Sequence, residues 1–293
     1  MFIADAKMSL ASALLKRLYI SRALNIPWKQ VTLARKGDPK HGKPCAVLPS
    51  GSLAALDFNV SHQAGLVSLI GWNSVSNPSK PVQVGTDIVC VNERDDYRTI
   101  DSEGFDAWID IYTDVFSETE RWDMKYNIDY LTLLNGVILP GSQLNRLDRC
   151  IARNMPLSIT LPTGESHSFS SDLIVEAKLR RFYAFFCYKE AFIKLTGEAL
   201  LAPWLTDLEF QGVKSPLPGT QARCSTHGTW GEKVTDVEVV LHGEKVEDVK
   251  MTLQAYEEDF MLSTAVKADS SVQIEVPEWK KLDLESDVLV FAT

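Results

Sequence analysis

Lys189, Glu190 and Lys194 stand in a stretch whose other residues are almost all apolar or aromatic, FYAFFCYKEAFIKLTGEALLAPW over residues 182–204. A helix that is apolar nearly all round is buried. A buried charge is costly unless it is paired or binds an ion. These three side chains therefore need charged partners, and a metal together with a phosphorylated ligand would satisfy both signs. Glu190 and Lys194 are spaced i,i+4 and share a face; a plain helix salt bridge is the other reading. Asp87 raises the same question as the one acid in the apolar strand VQVGTDIVCV, residues 82–91. Taken alone, it reads as a structural Asp bonded to backbone amides. Taken with Glu190, it makes a two-carboxylate set for Mg²⁺, which takes oxygen ligands and keeps waters and phosphates in its shell.

Three shorter motifs carry further polar chemistry. NVSHQ (59–63) puts Ser61 and His62 just after a strand signal, where a hydroxyl and an imidazole can meet an anion. A hydrolase reading is weak, because there is no G-x-S-x-G elbow and adjacent residues rarely form a nucleophile–base pair. HGKP (41–44) offers Lys43 to a phosphate or a base, against the plainer reading of a solvated loop lysine. In FSETE (116–120), Ser117 and Glu120 have the spacing of a capping box, which is the simplest account of Glu120. No Walker A sequence and no G-x-G-x-x-G occurs, which argues against P-loop and Rossmann enzymes.

The elements that must hold these residues follow from periodicity. Apolar residues at helical spacing (Leu10, Leu14, Leu15, Leu18, Tyr19) give a first helix over about 6–24; a mitochondrial presequence is the weaker reading of this mildly basic stretch. Residues 31–51 read as loop, with Gly37, Pro39, Gly42 and Pro44. Strand signals follow at 58–60, 66–70 and 82–91, with a polar linker, NSVSNPSKP, at 73–81. Residues 102–115 read as a helix, 127–171 as an insertion, and 172–200 as a long helix opened by Ser171 or Asp172 and closed near Pro203. Period-2 runs at 237–241, 249–253 and 260–266 read as antiparallel strands, and 268–293 as a partly ordered tail. The class is α+β, each half being one small sheet packed on a long helix.

The chain has 293 residues, 45% hydrophobic and 24% charged, with a net charge of −9, the composition of a globular protein of one large domain or two small ones. That charge argues against non-specific nucleic-acid binding, which needs a basic face. Five cysteines, odd in number and without a C-x-x-C pair, point to reduced thiols in the cytoplasm. No apolar run approaches the roughly 20 residues of a membrane span.

In order along the chain come GKP, N-x-S-H, G-x-D-I, F-S-x-x-E and K-E-A-x-x-K. Together they resemble the 4′-phosphopantetheinyl transferases of the larger, pseudodimeric Sfp type. VGTDIVCVNER (84–94) and TGEALLAPWL (196–205) make the fungal members the nearest in character. The resemblance spans roughly residues 5–210, without the 127–171 insertion.

The resemblance implies two similar α+β subdomains related by a pseudo-twofold, each a mainly antiparallel sheet on a long helix. Residues 1–80 would form the first, 81–267 the second with the insertion, and 268–293 a tail. Coenzyme A would bind in the cleft between them. Asp87 and Glu190 would hold Mg²⁺. Lys194 and Lys189 would contact the phosphates, and Lys194 would also serve catalysis. Ser61 and His62 would sit by the 3′-phosphate and pyrophosphate, with Lys43 and Pro44 along the adenine. Glu120 would be the general base for the serine of an apo carrier domain, and 3′,5′-ADP would leave. The implied partners are carrier domains of fatty acid synthases, polyketide synthases, nonribosomal peptide synthetases and aminoadipate reductase, the last placing the chain in lysine biosynthesis. A monomer in the cytoplasm is expected, with neither nucleic acid nor membrane as partner.

Two departures accompany the resemblance. Val89 stands where many bacterial relatives carry a second acid, so the metal would have two protein carboxylates. The chain also reads as short at its N-terminus, and Met8 stands near where bacterial relatives carry an Arg. The alternative expectation is thus a coenzyme A- or carrier-binding homologue with impaired catalysis.

Overall fold

The computed structural model describes residues 3–39, 42–74, 81–91, 93, 95–150, 152–198, 202–220, 228–269, 272, 276 and 278–292. The first part of the chain opens with helix α1 (Ile3–Leu24) and two hairpins, β1 (Thr32–Arg35) with β2 (Pro44–Val47), and β3 (Leu56–Gln63) with β4 (Leu66–Asn73). Segment 31–51 is therefore not all loop. Leu33 and Ala46 form a cross-strand pair there, facing Ile20 and Phe58 in a small apolar core. Gly and Pro around the turn mask this hairpin in the sequence.

Strand β5 (Gln83–Cys90) begins the second part. It leads into α2 (Asp96–Glu103), α3 (Phe105–Asp110) and α4 (Glu118–Tyr126). The helix read over 102–115 is broken at Gly104, whose φ of 87° lies outside the helical range. The insertion folds as two hairpins, β6 (Tyr130–Thr132) with β7 (Ile138–Pro140), and β8 (Pro156–Thr160) with β9 (Ser166–Ser170). They share an apolar cluster of Leu131, Leu139, Leu144 and Ile159 that packs on Ile174.

Ile174 belongs to α5 (Asp172–Thr196), the long helix read from the sequence. After it come β10 (Leu208–Gln211), β11 (Trp230–Val234), β12 (Glu238–Leu241), β13 (Glu244–Lys245), β14 (Val249–Tyr256) and β15 (Phe260–Lys267). The strands order as β11-β14-β15-β5 in one sheet and β10-β12-β13 in another, with every pair antiparallel. The fold is thus α+β, with small antiparallel sheets around a long helix.

The main core is the face of the four-stranded sheet against α5. Val89, Met251, Leu253, Met261 and Ala265 meet Phe182, Phe185, Tyr188 and Ala191 there. Aromatic rings extend it, with Trp108 and Phe182 meeting edge to face at 4.6 Å between centroids. From Arg181 to Leu195 every residue of α5 is buried except Phe186, Glu190 and Lys194. These three lie at i, i+4 and i+8, one stripe along the helix. No helix among the described residues is long and apolar enough to cross a membrane.

Candidate functional site

Strand β5 joins the two parts of the molecule. One edge is laddered to β15, with Asp87 opposite Ser263 and Gly85 opposite Ala265. The other edge faces β3, and side chains rather than backbone carry the bonds across. Asp57 Oδ2 accepts from Val84 N at 2.8 Å, Asn59 Oδ1 from Thr86 N at 3.3 Å, and Ser61 Oγ from Ile88 N at 3.3 Å. Successive acceptors lie two residues apart, as a strand requires to put them on one face.

At one end of this seam lies a three-membered polar cluster. Ser61 Oγ donates to Asp87 Oδ1 at 2.7 Å. The Lys194 ammonium donates to the same Oδ1 at 2.5 Å and to Ser61 Oγ at 3.0 Å. Asp87 is nearly buried, its side chain 7% exposed, whereas Lys194 is 28% exposed. The cluster therefore has one deep anion and one cation that reaches solvent. α5 stays close to the strand at this point, because Gly85 has no side chain: a Cβ there would strike Ala191 O and the Leu195 backbone. Cys187 completes the contact, its thiol donating to Asp87 O at 3.5 Å. Burial and the nearby Asp87 charge push that thiol well above its ordinary range. Glu190, half-buried, shares the stripe with Lys194 one turn away.

The residues singled out in the sequence divide into two groups. Ser61, Asp87 and Lys194 form this cluster, and Glu190 lies one turn before Lys194 on the same stripe of α5. His62 is exposed on the strand position next to Ser61, and Pro44 is half-buried at the start of β2. The second group is turned inward. Lys189, 1% exposed, donates to Glu120 Oε2 at 2.8 Å and to Val115 O, Leu205 O and Leu208 O at 2.8, 3.2 and 2.7 Å. Glu120, 2% exposed, also accepts from the backbone N–H of Ser117 and Phe210, at 3.1 and 3.0 Å. The capping box is present, with Ser117 Oγ taking Glu120 N. Burial pushes the Glu120 carboxyl above the usual carboxylate range, against the pull of Lys189 and the two amides. Burial lowers the Lys189 ammonium.

This geometry bears on three expectations. Glu120 has no face toward an incoming serine, so the general-base reading does not fit its position. Lys189 spends its donors on interior oxygens, so a phosphate contact does not fit either. Lys43 is likewise buried, its ammonium against Asp57. Asp57 and Asn59 were missed in the sequence. Their polar-apolar alternation with Phe58 and Val60 reads as an ordinary half-exposed strand, whereas both are buried.

Asp87 and Glu190 supply hard oxygen donors from two adjacent elements, a set that suits Mg²⁺. In the structure the balancing cation at Asp87 is the Lys194 ammonium. Among the described residues, no group of three or more His, Cys, Asp or Glu side chains is arranged for a metal. An ion here would draw its remaining ligands from water and phosphate. A cavity of about 320 Å³ lies elsewhere, between β6 and the first half of α5, lined by Leu131, Leu133, Leu173 and Arg180. None of the residues singled out above lines it.

Comparison with known proteins gives a consistent result. Residues 1–74 match the family model described as 4′-phosphopantetheinyl transferase, N-terminal. The chain is 76% identical over 292 residues to a 4′-phosphopantetheinyl transferase of Aureobasidium melanogenum, covering 100% of this chain and 86% of that one. It is 34% identical to 4′-phosphopantetheinyl transferase A of Aspergillus fumigatus, covering 99% and 83% of the two chains. A shorter match, 33% identical over 43% of this chain and 46% of the relative, is to the L-aminoadipate-semialdehyde dehydrogenase-phosphopantetheinyl transferase of Schizosaccharomyces pombe.

Proposed function

The chain belongs to the 4′-phosphopantetheinyl transferase family, and from that premise we propose that it moves the phosphopantetheine arm of coenzyme A to a serine of apo carrier domains. The reaction would depend on Mg²⁺ and release 3′,5′-ADP. The observation that carries this reading is the cluster of Ser61, Asp87 and Lys194, with Glu190 on the same stripe, where β3, β5 and α5 meet.

Each of these side chains has a task in that reaction. Lys194, the cation that reaches solvent, neutralises the pyrophosphate as the serine oxygen attacks the β-phosphorus. The bond from that phosphorus to the bridging oxygen breaks, and 3′,5′-ADP leaves with the electron pair. Ser61 holds Lys194 and Asp87 in place and donates toward phosphate oxygen when Lys194 moves to the ligand. His62 and Pro44 flank the nucleotide. Asp87 and Glu190 would hold Mg²⁺, which as a Lewis acid stabilises charge developing on the phosphoryl oxygens. With Glu120 buried, Glu190 on the open stripe of α5 would also take the serine proton, directly or through a water. Lys189 and Glu120 support the fold and touch no ligand.

The partners follow from the same reading: carrier domains of fatty acid, polyketide and nonribosomal peptide synthesis, and of aminoadipate reduction. The match to the Schizosaccharomyces pombe protein supports the last. We place the enzyme in the cytoplasm, in keeping with the free thiols of Cys45, Cys90, Cys150 and Cys187. We also read it as a monomer whose α1 and α5 parts are related by a pseudo-twofold.

The test is mass spectrometry of an apo carrier domain incubated with the chain, coenzyme A and Mg²⁺. The expected result is a gain of one phosphopantetheine arm, abolished by a chelator and restored by Mg²⁺. Asp87→Ala and Glu190→Ala should each lower turnover by roughly 10²- to 10³-fold, the scale for losing one preorganised electrostatic group. No mass gain with several carriers would overturn the reading in favour of a binding protein. Full activity in both variants would remove the metal assignment.

A further inference from the structure

Lys43 is expected along the adenine, yet its ammonium is turned into the interior. It donates to Asp57 on β3, to Val84 O on β5 at 2.7 Å, and to Leu195 O in the last turn of α5 at 3.5 Å. An ammonium has three donors, and these three acceptors use them all. Burial lowers the Lys43 ammonium, against the opposing pull of Asp57. The carbonyl at the end of α5 adds the favourable interaction of a cation with a helix C-terminus. The stem of Lys43 packs at that end as well, its Cβ lying where a side chain on Gly197 would meet it.

Each acceptor stands beside a member of the candidate site. Leu195 follows Lys194. Val84 lies on β5 three residues before Asp87, and Asp57 lies on β3 four residues before Ser61. Between β3 and β5 the register rests on side chains, at a constant offset of 27 residues for the three amides. Such a seam is less strictly set than a continuous backbone ladder, and a slip would part Ser61 from Asp87. The Lys43 ammonium ties this end of the seam to α5, as Lys194 does at the other end through Ser61 and Asp87.

We propose that Lys43 is a positioning residue for phosphopantetheinyl transfer: from the interior it locks β3, β5 and the C-terminal turn of α5 in the register that assembles Ser61, Asp87 and Lys194. Asp57 is its counter-charge and Asn59 the middle rung of the seam. The proposal rests on the transferase reading given above.

Lys43→Met tests it. The variant leaves Asp57 with Lys36 at 2.9 Å and the Val84 amide at 2.8 Å, so no buried carboxylate is orphaned. Two measurements are made on the full chain: steady-state transfer from coenzyme A to an apo carrier domain, and amide hydrogen exchange. We expect kcat to fall about 10- to 100-fold, the usual cost of losing a group that orients catalytic side chains. We expect KM for coenzyme A to stay within about threefold, since a residue that contacts no ligand leaves binding intact. The amides of Val84, Thr86 and Ile88 should exchange faster, and Lys43→Arg should recover part of kcat. A raised KM with unchanged kcat would make Lys43 a ligand contact and overturn the proposal. Unchanged kcat and KM with only a lower melting temperature would make it purely structural and overturn it too. If the wild-type chain transfers nothing, the functional reading has failed, and exchange alone then judges the register claim. Unchanged exchange in Lys43→Met overturns that claim.

Discussion

Burial separates the roles of three of the lysine–carboxylate pairs in this fold. Lys189 with Glu120 and Lys43 with Asp57 are interior, whereas Lys194 with Asp87 opens to solvent on the lysine side. A buried pair costs much of its Coulomb energy in desolvation, so its worth shows when one partner is removed. Glu120→Gln would leave the Lys189 ammonium among three carbonyls without a counter-charge. We expect a loss of about 3–5 kcal/mol in urea unfolding, and partial recovery in Glu120→Gln with Lys189→Met. Turnover per folded molecule should stay within a few-fold of wild type. A collapse of turnover in a fully folded Glu120→Gln protein would return Glu120 to the chemistry. The sequence showed that Glu120 is a capping residue but not where its carboxylate points. That direction is set by Lys189 and Phe210, 69 and 90 residues away. Asp87, Glu190 and Lys194 were legible for the opposite reason. A charge in an otherwise apolar strand or helix is visible without knowing its partner.

At the scale of elements, the site depends on how closely α5 approaches β5. The helix buries every side chain from Arg181 to Leu195 but three, so its one open stripe is the only face on which Glu190 and Lys194 can meet a ligand. Gly85 lets the helix backbone rest on the strand. Gly85→Ala would push Ala191 and Leu195 outward and draw Lys194 away from Asp87. Overpacking of this kind costs about 1–3 kcal/mol. Transfer should fall further than stability does, because a misplacement near 1 Å can cost about 100-fold in rate. Thermal unfolding and turnover on the same preparation check this; a drop in melting temperature with unchanged turnover would sink it. Helix α5 and strands β5, β14 and β15 of this core follow the hydrophobic periods and were legible within a few residues, whereas β10 and β11 were not read from the sequence. The β1–β2 hairpin was not, because its strands are four residues long and its turn is rich in Gly and Pro. The insertion hairpins were not either: their short strands give too few repeats for a period to stand out.

Two of the cross-connections between the first part of the chain and the rest carry unequal weight. One is the β3–β5 seam, whose polar side chains are buried and whose bonds set the site. The other is the C-terminal segment, which returns to α1 and places Phe291 under the Arg22 guanidinium, 4.1 Å from the ring centroid. Asp283 caps this segment by accepting from the amides of Glu285 and Ser286, at 3.0 and 2.9 Å. Of its described side chains only Val288 is buried, while Leu284, Leu289, Val290 and Phe291 are largely exposed. Burying one Val contributes about 1.5–2 kcal/mol, and an exposed cation–π contact about 0.5–1 kcal/mol. Removing residues 283–293 should therefore cost about 2–3 kcal/mol, a fall of several degrees in melting temperature for a chain of this size. Transfer should survive, because none of the bonds that assemble Ser61, Asp87 and Lys194 involves the tail. Calorimetry and the carrier-loading assay on the truncated chain measure the two effects separately. If loading fell tenfold while the protein stayed folded at the assay temperature, the tail would be shaping the cleft, and the seam alone would not suffice to hold the site.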